Sequence, residues 1–330
     1  MSRTSSVGRW ELPTATATLP CRAAACLALA CCFGACSESG NGLPSWEGLL
    51  PINGTELYMK RLGAGEPIVV VHGGPVLEHG YLLPHLAPLA ESYELIFFDQ
   101  RLSGRSAPRV DSASVRLATF VDDIEALRQS LGLDRVHLMA HSWGGLLAIH
   151  YALEHQEHLI SLVLLNSMSP SSDLWQEEER LLSERVTAAD STASADLRES
   201  EAFAAREPEA IRQLLLLSFK TQFHDPNRSG DLDIYVPDDY VDRSRQFGYM
   251  MVDLASFDLR GELDRIKVPT LVIYGSAEPA VALGGAALRD RIPNVEFGII
   301  EDAGHFPFIE QPEAFLLAVR RFLEAQRSEN

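Results

Sequence analysis

"LMAHSWGGLL", residues 138–147, runs from an apolar stretch through a serine into two glycines. The segment from Arg135 to Ala140 reads as a buried strand, and "GGLLAIHYALEH" after the serine reads as a helix. A polar residue closing a strand would explain the serine but not the small residues around it. A tight strand-to-helix turn explains both, because the positions two before and two after the serine must then be small. Here they are Ala140 and Gly144. Such a turn lifts a nucleophile out of the sheet. The match is weak alone, since small-x-Ser-x-Gly arises by chance in many chains.

A serine nucleophile needs a histidine as base and an acid to orient it. Downstream, "YGSAEP" offers Glu278 and "DAGHFPF" offers His305, each in a loop after an apolar β-branched run. The order is Ser142, Glu278, His305. Asp302 is a rival acid, too close along the chain to His305 to orient it, and Asp258 is a second rival. The negative oxygen of an acyl-transfer intermediate needs backbone donors. The N–H of Trp143 is one. The other comes from "HGGP", residues 72–75, with Gly74 preferred over Gly73, since Pro75 has no N–H.

The pattern around these residues alternates strand and helix. "PIVVVHGG", "ELIFFDQR", "RVHLMAHS", "LISLVLLNS", "VPTLVIYG" and "VEFGII" are short apolar runs, as expected of strands buried on both faces. Between them, "FVDDIEALRQSLG" repeats apolar residues at helical spacing, and the last helix, opened by Pro312, does so at Phe315, Val319 and Phe322. The expectation is an α/β fold with a mostly parallel sheet, its core spanning 50–167 and 258–330. Residues 168–257 carry no strong strand and several helical stretches. They are expected to form a cap over the C-terminal strand ends, where ligands bind in such sheets.

The chain has 330 residues and a formal charge of −18, which argues against nucleic acid as a partner. All five cysteines lie in the first 36 residues, so the folded part has no disulfide framework, cysteine metal site or thiol nucleophile. Residues 1–36 run basic, apolar, small and polar, the order of an export signal, and the apolar part is too short to span a bilayer. "FGAC" resembles a bacterial lipoprotein cleavage box, which makes Cys36 the expected lipidated N-terminus and a lipid there the only link to a membrane; a cut elsewhere would instead give a free periplasmic or secreted protein. Residues 37–49 read as a flexible linker.

The quoted motifs, "HGGPV", "DQRLSGRS" and "AHSWGG", are similar to those of the α/β-hydrolase fold, specifically its proline iminopeptidase-like branch. The resemblance covers about residues 50–325. It implies a serine hydrolase without metal or organic cofactor, acting on a small molecule or short peptide and often removing an N-terminal residue. Val76 and Leu102 stand where that branch has glycine, a change expected to narrow or reshape the mouth near the oxyanion hole. Glu278 stands where Asp is commoner. In peptidase members cap carboxylates hold the substrate amine; the candidates here, Glu177, Glu178 and Glu179, read as a solvated helix face. An esterase or C–C bond hydrolase uses the same triad, and a non-catalytic ligand-binding lipoprotein of this fold is the alternative of another class.

Overall fold

The computed structural model describes residues 44–327, and the backbone of two short segments, 7–9 and 37–38. Cys36 and the rest of the expected leader lie outside the described residues. Ten strands form one sheet: β1 (Val7–Arg9), β2 (Ser37–Glu38), β3 (Pro44–Ile52), β4 (Thr55–Gly63), β5 (Glu66–Val71), β6 (Tyr93–Phe98), β7 (Val136–His141), β8 (Leu159–Leu165), β9 (Thr270–Gly275) and β10 (Val295–Ile300). Their order is β1-β10-β9-β8-β7-β5-β6-β4-β3-β2. The run from β1 to β6 is parallel, while β4, β3 and β2 add on antiparallel.

The parallel strands divide their side chains between two cores. Val69 and Val71 of β5 face one side with Leu138, Ala140, Leu162 and Leu164. Ile68 and Val70 face the other with Met139, Val163 and Leu165. The first layer is closed by helices Leu117–Ser130 and Trp143–His155, the second by Pro312–Ala325, whose Phe315, Val319 and Phe322 are buried as the spacing requires. Gly132, at φ 66, follows the end of the first helix in the left-handed conformation that stops it.

The ordered core starts before the expected boundary. Residues 44–49 belong to β3, which pairs with β4 through a two-residue turn at Asn53 (φ 45) and Gly54 (φ 77), so they are strand rather than linker. Pro44 and Gly48 are poor strand formers, but β2 covers β3 only at Pro44 and Ser45, so most of β3 has one open side and the ladder tolerates them. Val7–Arg9 likewise pairs with β10, within the segment read as leader. Among the described residues no helix is long and apolar enough to cross a membrane.

Between β8 and β9 the chain leaves the sheet as a set of helices, including Ser172–Ser183, Ala188–Glu199, Pro208–Phe219 and Tyr240–Phe247. It departs and returns at one place. Ser171 and Asp258 form an antiparallel bridge, flanked by Ser172 N–H to Phe257 O at 2.9 Å and Leu259 N–H to Pro170 O at 2.8 Å.

The loop after β6, "DQR", ties the two halves of the first core together. Arg101 is buried and donates from Nε to Asp123 of helix Leu117–Ser130 at 2.7 Å, with a second bond from Nη2 at 2.5 Å. Removing one partner strands a buried charge. Asp123→Ala is therefore expected to lower unfolding stability by about 3–5 kcal/mol in urea titrations. Replacing both residues by Leu and Met should recover most of that loss.

Candidate active site

β7 ends at His141, and the chain turns sharply at Ser142, φ 55 and ψ −122, before the helix Trp143–His155 begins. A non-glycine residue in this region costs about 1–3 kcal/mol and persists only where its surroundings fix it. Here Ser142 N–H donates to Leu165 O at 3.0 Å, and the Ser142 carbonyl accepts from Gly145 N–H at 2.8 Å and Met168 N–H at 2.9 Å. The helix start lies against β5: a Cβ on Gly144 would come within 2.5 and 2.6 Å of the Val71 and His72 carbonyl oxygens. Ala140, two residues before Ser142, is fully buried, so its methyl is accommodated.

The structure brings His305 and Glu278 together. His305 Nδ1 donates to Glu278 Oε2 at 2.8 Å, which fixes the tautomer and leaves Nε2 as the basic nitrogen. Glu278 is buried and His305 nearly so. The His305 loop is held on three sides. Its own N–H donates to Gln222 O of the cap at 2.7 Å, Gly304 N–H donates to Glu310 Oε2 at 2.7 Å, and Asn166 Nδ2 donates to Gly304 O at 3.1 Å. Asn166 also donates to Glu278 Oε2 at 3.2 Å, so one buried amide braces both the acid and the histidine loop. The rival acids are elsewhere. Asp258 is half exposed and paired with Arg260, and Asp302 is largely exposed beside His224.

Ser142, His305, Glu278, Gly74 and Trp143 line one cavity of about 450 Å³. Gly73 N–H is given to Tyr81 Oη at 2.7 Å, so of the two glycines weighed as oxyanion donors Gly73 is already engaged. The Trp143 indole is itself fixed, donating to Gln100 Oε1 at 2.9 Å, while Gln100 Nε2 reaches back to His72 O at 2.7 Å.

Val76 and Leu102 do not narrow the mouth. Neither lines the cavity, and both are buried in the core. Each is third in a four-residue turn, closed by Leu77 N–H to Gly74 O at 3.0 Å and by Ser103 N–H to Gln100 O at 2.9 Å. That position calls for positive φ, and they adopt it at 70 and 64. The turns keep the backbone that glycine would give and accept the strain.

The acidic run on the cap divides. Glu177 is paired with Arg180 at the surface and Glu179 is exposed at the rim of the cavity, but Glu178 is buried and faces the cavity with Trp175 and Leu182. Its Oε1 accepts from Ser169 Oγ and from Gly284 N–H at 3.2 Å, leaving Oε2 for a ligand. Burial pushes this carboxyl up to about 7. The reading of the whole run as a solvated face is corrected for this residue. The signal was its phase, since 175, 178 and 182 share one helix face. Asn166 had no sequence signal. Of the described residues, Glu78, His79 and Asp99 are the one cluster with metal-ligand geometry, but its members are spent on one another and on Arg105.

A family model for the alpha/beta hydrolase fold matches residues 66–312. A proline iminopeptidase of Clostridioides difficile (strain 630) is 27% identical over 293 residues, 84% of this chain and 98% of that protein. One of Heyndrickxia coagulans is 28% identical over 297 residues, 84% of this chain and 99% of that protein. The crystal structure of a proline iminopeptidase from Mycobacterium smegmatis superposes with a TM-score of 0.63 at 24% identity, covering 85% of this chain and 98% of that one.

Glu278→Gln should keep the fold and lower kcat by roughly 10³–10⁴, because the amide no longer holds the imidazole in the needed tautomer. Asp258→Asn should leave kcat within about twofold, the usual result for an exposed ion pair. Steady-state rates of the two variants on any turned-over substrate, with circular dichroism as a fold check, decide the acid's identity.

Proposed function

The chain belongs to the alpha/beta hydrolase fold family and is similar over most of its length to proline iminopeptidases, and from that premise we propose that it is a serine hydrolase that removes the N-terminal residue from short peptides or amides. In this reading Ser142 Oγ attacks the scissile carbonyl. His305 Nε2 takes the serine proton and passes it to the leaving amine, while Glu278 steadies the imidazolium. The N–H groups of Gly74 and Trp143 hold the oxyanion. Water then repeats the sequence on the acyl-enzyme.

The observation that carries the peptidase reading is Glu178. A carboxylate buried in a mostly apolar cavity is costly unless something pairs with it. A substrate ammonium at Oε2 supplies that pairing and puts the first residue's carbonyl toward Ser142. The walls, among them Leu215, Phe219, Ile234 and Phe247, suit an apolar side chain, and the volume leaves room beyond a prolyl ring. An enzyme for neutral esters has no use for this carboxylate. Export, with a lipid on Cys36, belongs to the same reading and is supported by the leader's sequence alone.

The test compares proline and alanine p-nitroanilides with p-nitrophenyl acetate and butyrate, each beside Ser142→Ala. Serine-dependent anilide cleavage is expected. Ester cleavage alone would mean that the cap serves a neutral acyl group. No turnover, with no labelling of Ser142 by a fluorophosphonate, would favour a binding protein.

The pH dependence has a definite sign. Below its raised pKa of about 7, Glu178 is protonated and offers an amine no charge; above it the carboxylate forms. KM for anilides should therefore fall as pH rises from about 6 to about 7.5, while the substrate amine is still cationic. KM for the esters should stay flat. Glu178→Gln should raise anilide KM about tenfold or more and abolish this pH trend, in keeping with the loss of a charge-assisted bond.

A further inference from the structure

Resting on that reading of Ser142 and His305, we propose that Tyr81 and His141 are positioning residues that hold the oxyanion loop and the general-base loop as one hydrogen-bonded unit. Neither residue has a part in the chemistry described above. Both are buried in the cavity wall, Tyr81 at 3% and His141 at 2% exposed.

The bonds run in one direction. Gly73 N–H can only donate, and it donates to Tyr81 Oη at 2.7 Å. The Tyr81 hydroxyl then gives its own hydrogen to His141 Nδ1, also at 2.7 Å. His141 therefore carries its hydrogen on Nε2, which donates to the backbone carbonyl of His305 at 3.0 Å. Burial holds His141 neutral, in keeping with this single assignment. With both nitrogens engaged, His141 is not itself a base for Ser142, although its ring lies 4.9 Å from that of His305.

The placement gives the relay its effect. Gly73 precedes the oxyanion donor Gly74, His141 precedes the strained Ser142, and His305 is the base. The loops after β5 and β10 are thus locked through side chains to the last residue of β7 as well as through the sheet. Were the wall there only to pack, Phe and Leu would fill it without two buried polar groups to satisfy. The inner surface around the pair is aromatic, with Phe306 and Phe308 against His141.

The experiment uses Tyr81→Phe, His141→Leu and the double variant in the full-length protein, beside Ser142→Ala. It measures kcat, KM and the affinity of a boronic acid that forms a tetrahedral adduct. Tyr81→Phe, which keeps the ring, is expected to lower kcat about 10- to 100-fold with KM within twofold, as expected when reacting groups shift by a fraction of an ångström. Boronate affinity should weaken by the same factor. The double variant should be no slower than the slower single variant, because both break one chain. Wild-type-like kcat in folded Tyr81→Phe, or losses that multiply in the double variant, would overturn the relay while leaving the serine mechanism in place. If His141→Leu does not fold, the kcat and boronate values of Tyr81→Phe decide alone. Turnover that survives Ser142→Ala overturns the triad reading, and the relay with it.

Discussion

The backbone at Ser142 is the constraint on which the rest of the molecule is arranged. A left-handed serine between a strand and a helix is unfavourable in isolation, and three hydrogen bonds to the ends of β8 and the helix start hold it there. The close approach that makes the turn possible brings Gly144 against the carbonyl oxygens of β5. So the strand that ends at Ser142 must lie next to the strand that leads into Gly73 and Gly74. The parallel order β9-β8-β7-β5 provides this and puts Glu278, Ser142 and Gly74 at one edge of the sheet.

A second tier of buried polar groups keeps that edge rigid. In the "DQR" loop each side chain fastens a different neighbour: Asp99 holds the His79 turn, Gln100 joins His72 to the Trp143 indole, and Arg101 holds Asp123. Asn166 and Glu310 do the same for the histidine loop. Networks of this kind are stiff because each side chain has a fixed partner, even though Asn166 Oδ1 has none of its own. They also explain how Val76 and Leu102 sustain positive φ. The turns are set by the bonds around them, so the residue at the third position follows the backbone.

Much of this was legible in the sequence, for identifiable reasons. Strands buried on both faces read as continuous apolar runs, so β5 through β10 stood out, and with them the loops that carry Ser142, Glu278 and His305, the residues proposed as a triad. The start of β3 was hidden because Pro44 and Gly48 are poor strand formers, although Asn53-Gly54 is a hairpin signal just beyond it. Helix Ala188–Glu199 was announced only by its capping box, Thr187 with Asp190. Glu178 was masked by its charged neighbours, and only its phase with Trp175 and Leu182 marks it as inward. Asn166 could not be read at all, because its role depends on Glu278 and Gly304, which are remote in sequence and adjacent only in the fold.

The paired stem at Ser171 and Asp258 bears on how such a protein changes over time. To the sheet, the whole excursion between these residues is equivalent to a short hairpin, since its two ends are already joined. Whatever is threaded between them leaves the distance spanned by β8 and β9 unaltered. The excursion can therefore be lengthened or redesigned without altering the sheet, as long as the one bond that it lends to the core's histidine loop, His305 N–H to Gln222 O, is kept. A graft cut at this stem is a self-contained unit only if it carries an equivalent of Gln222 with it.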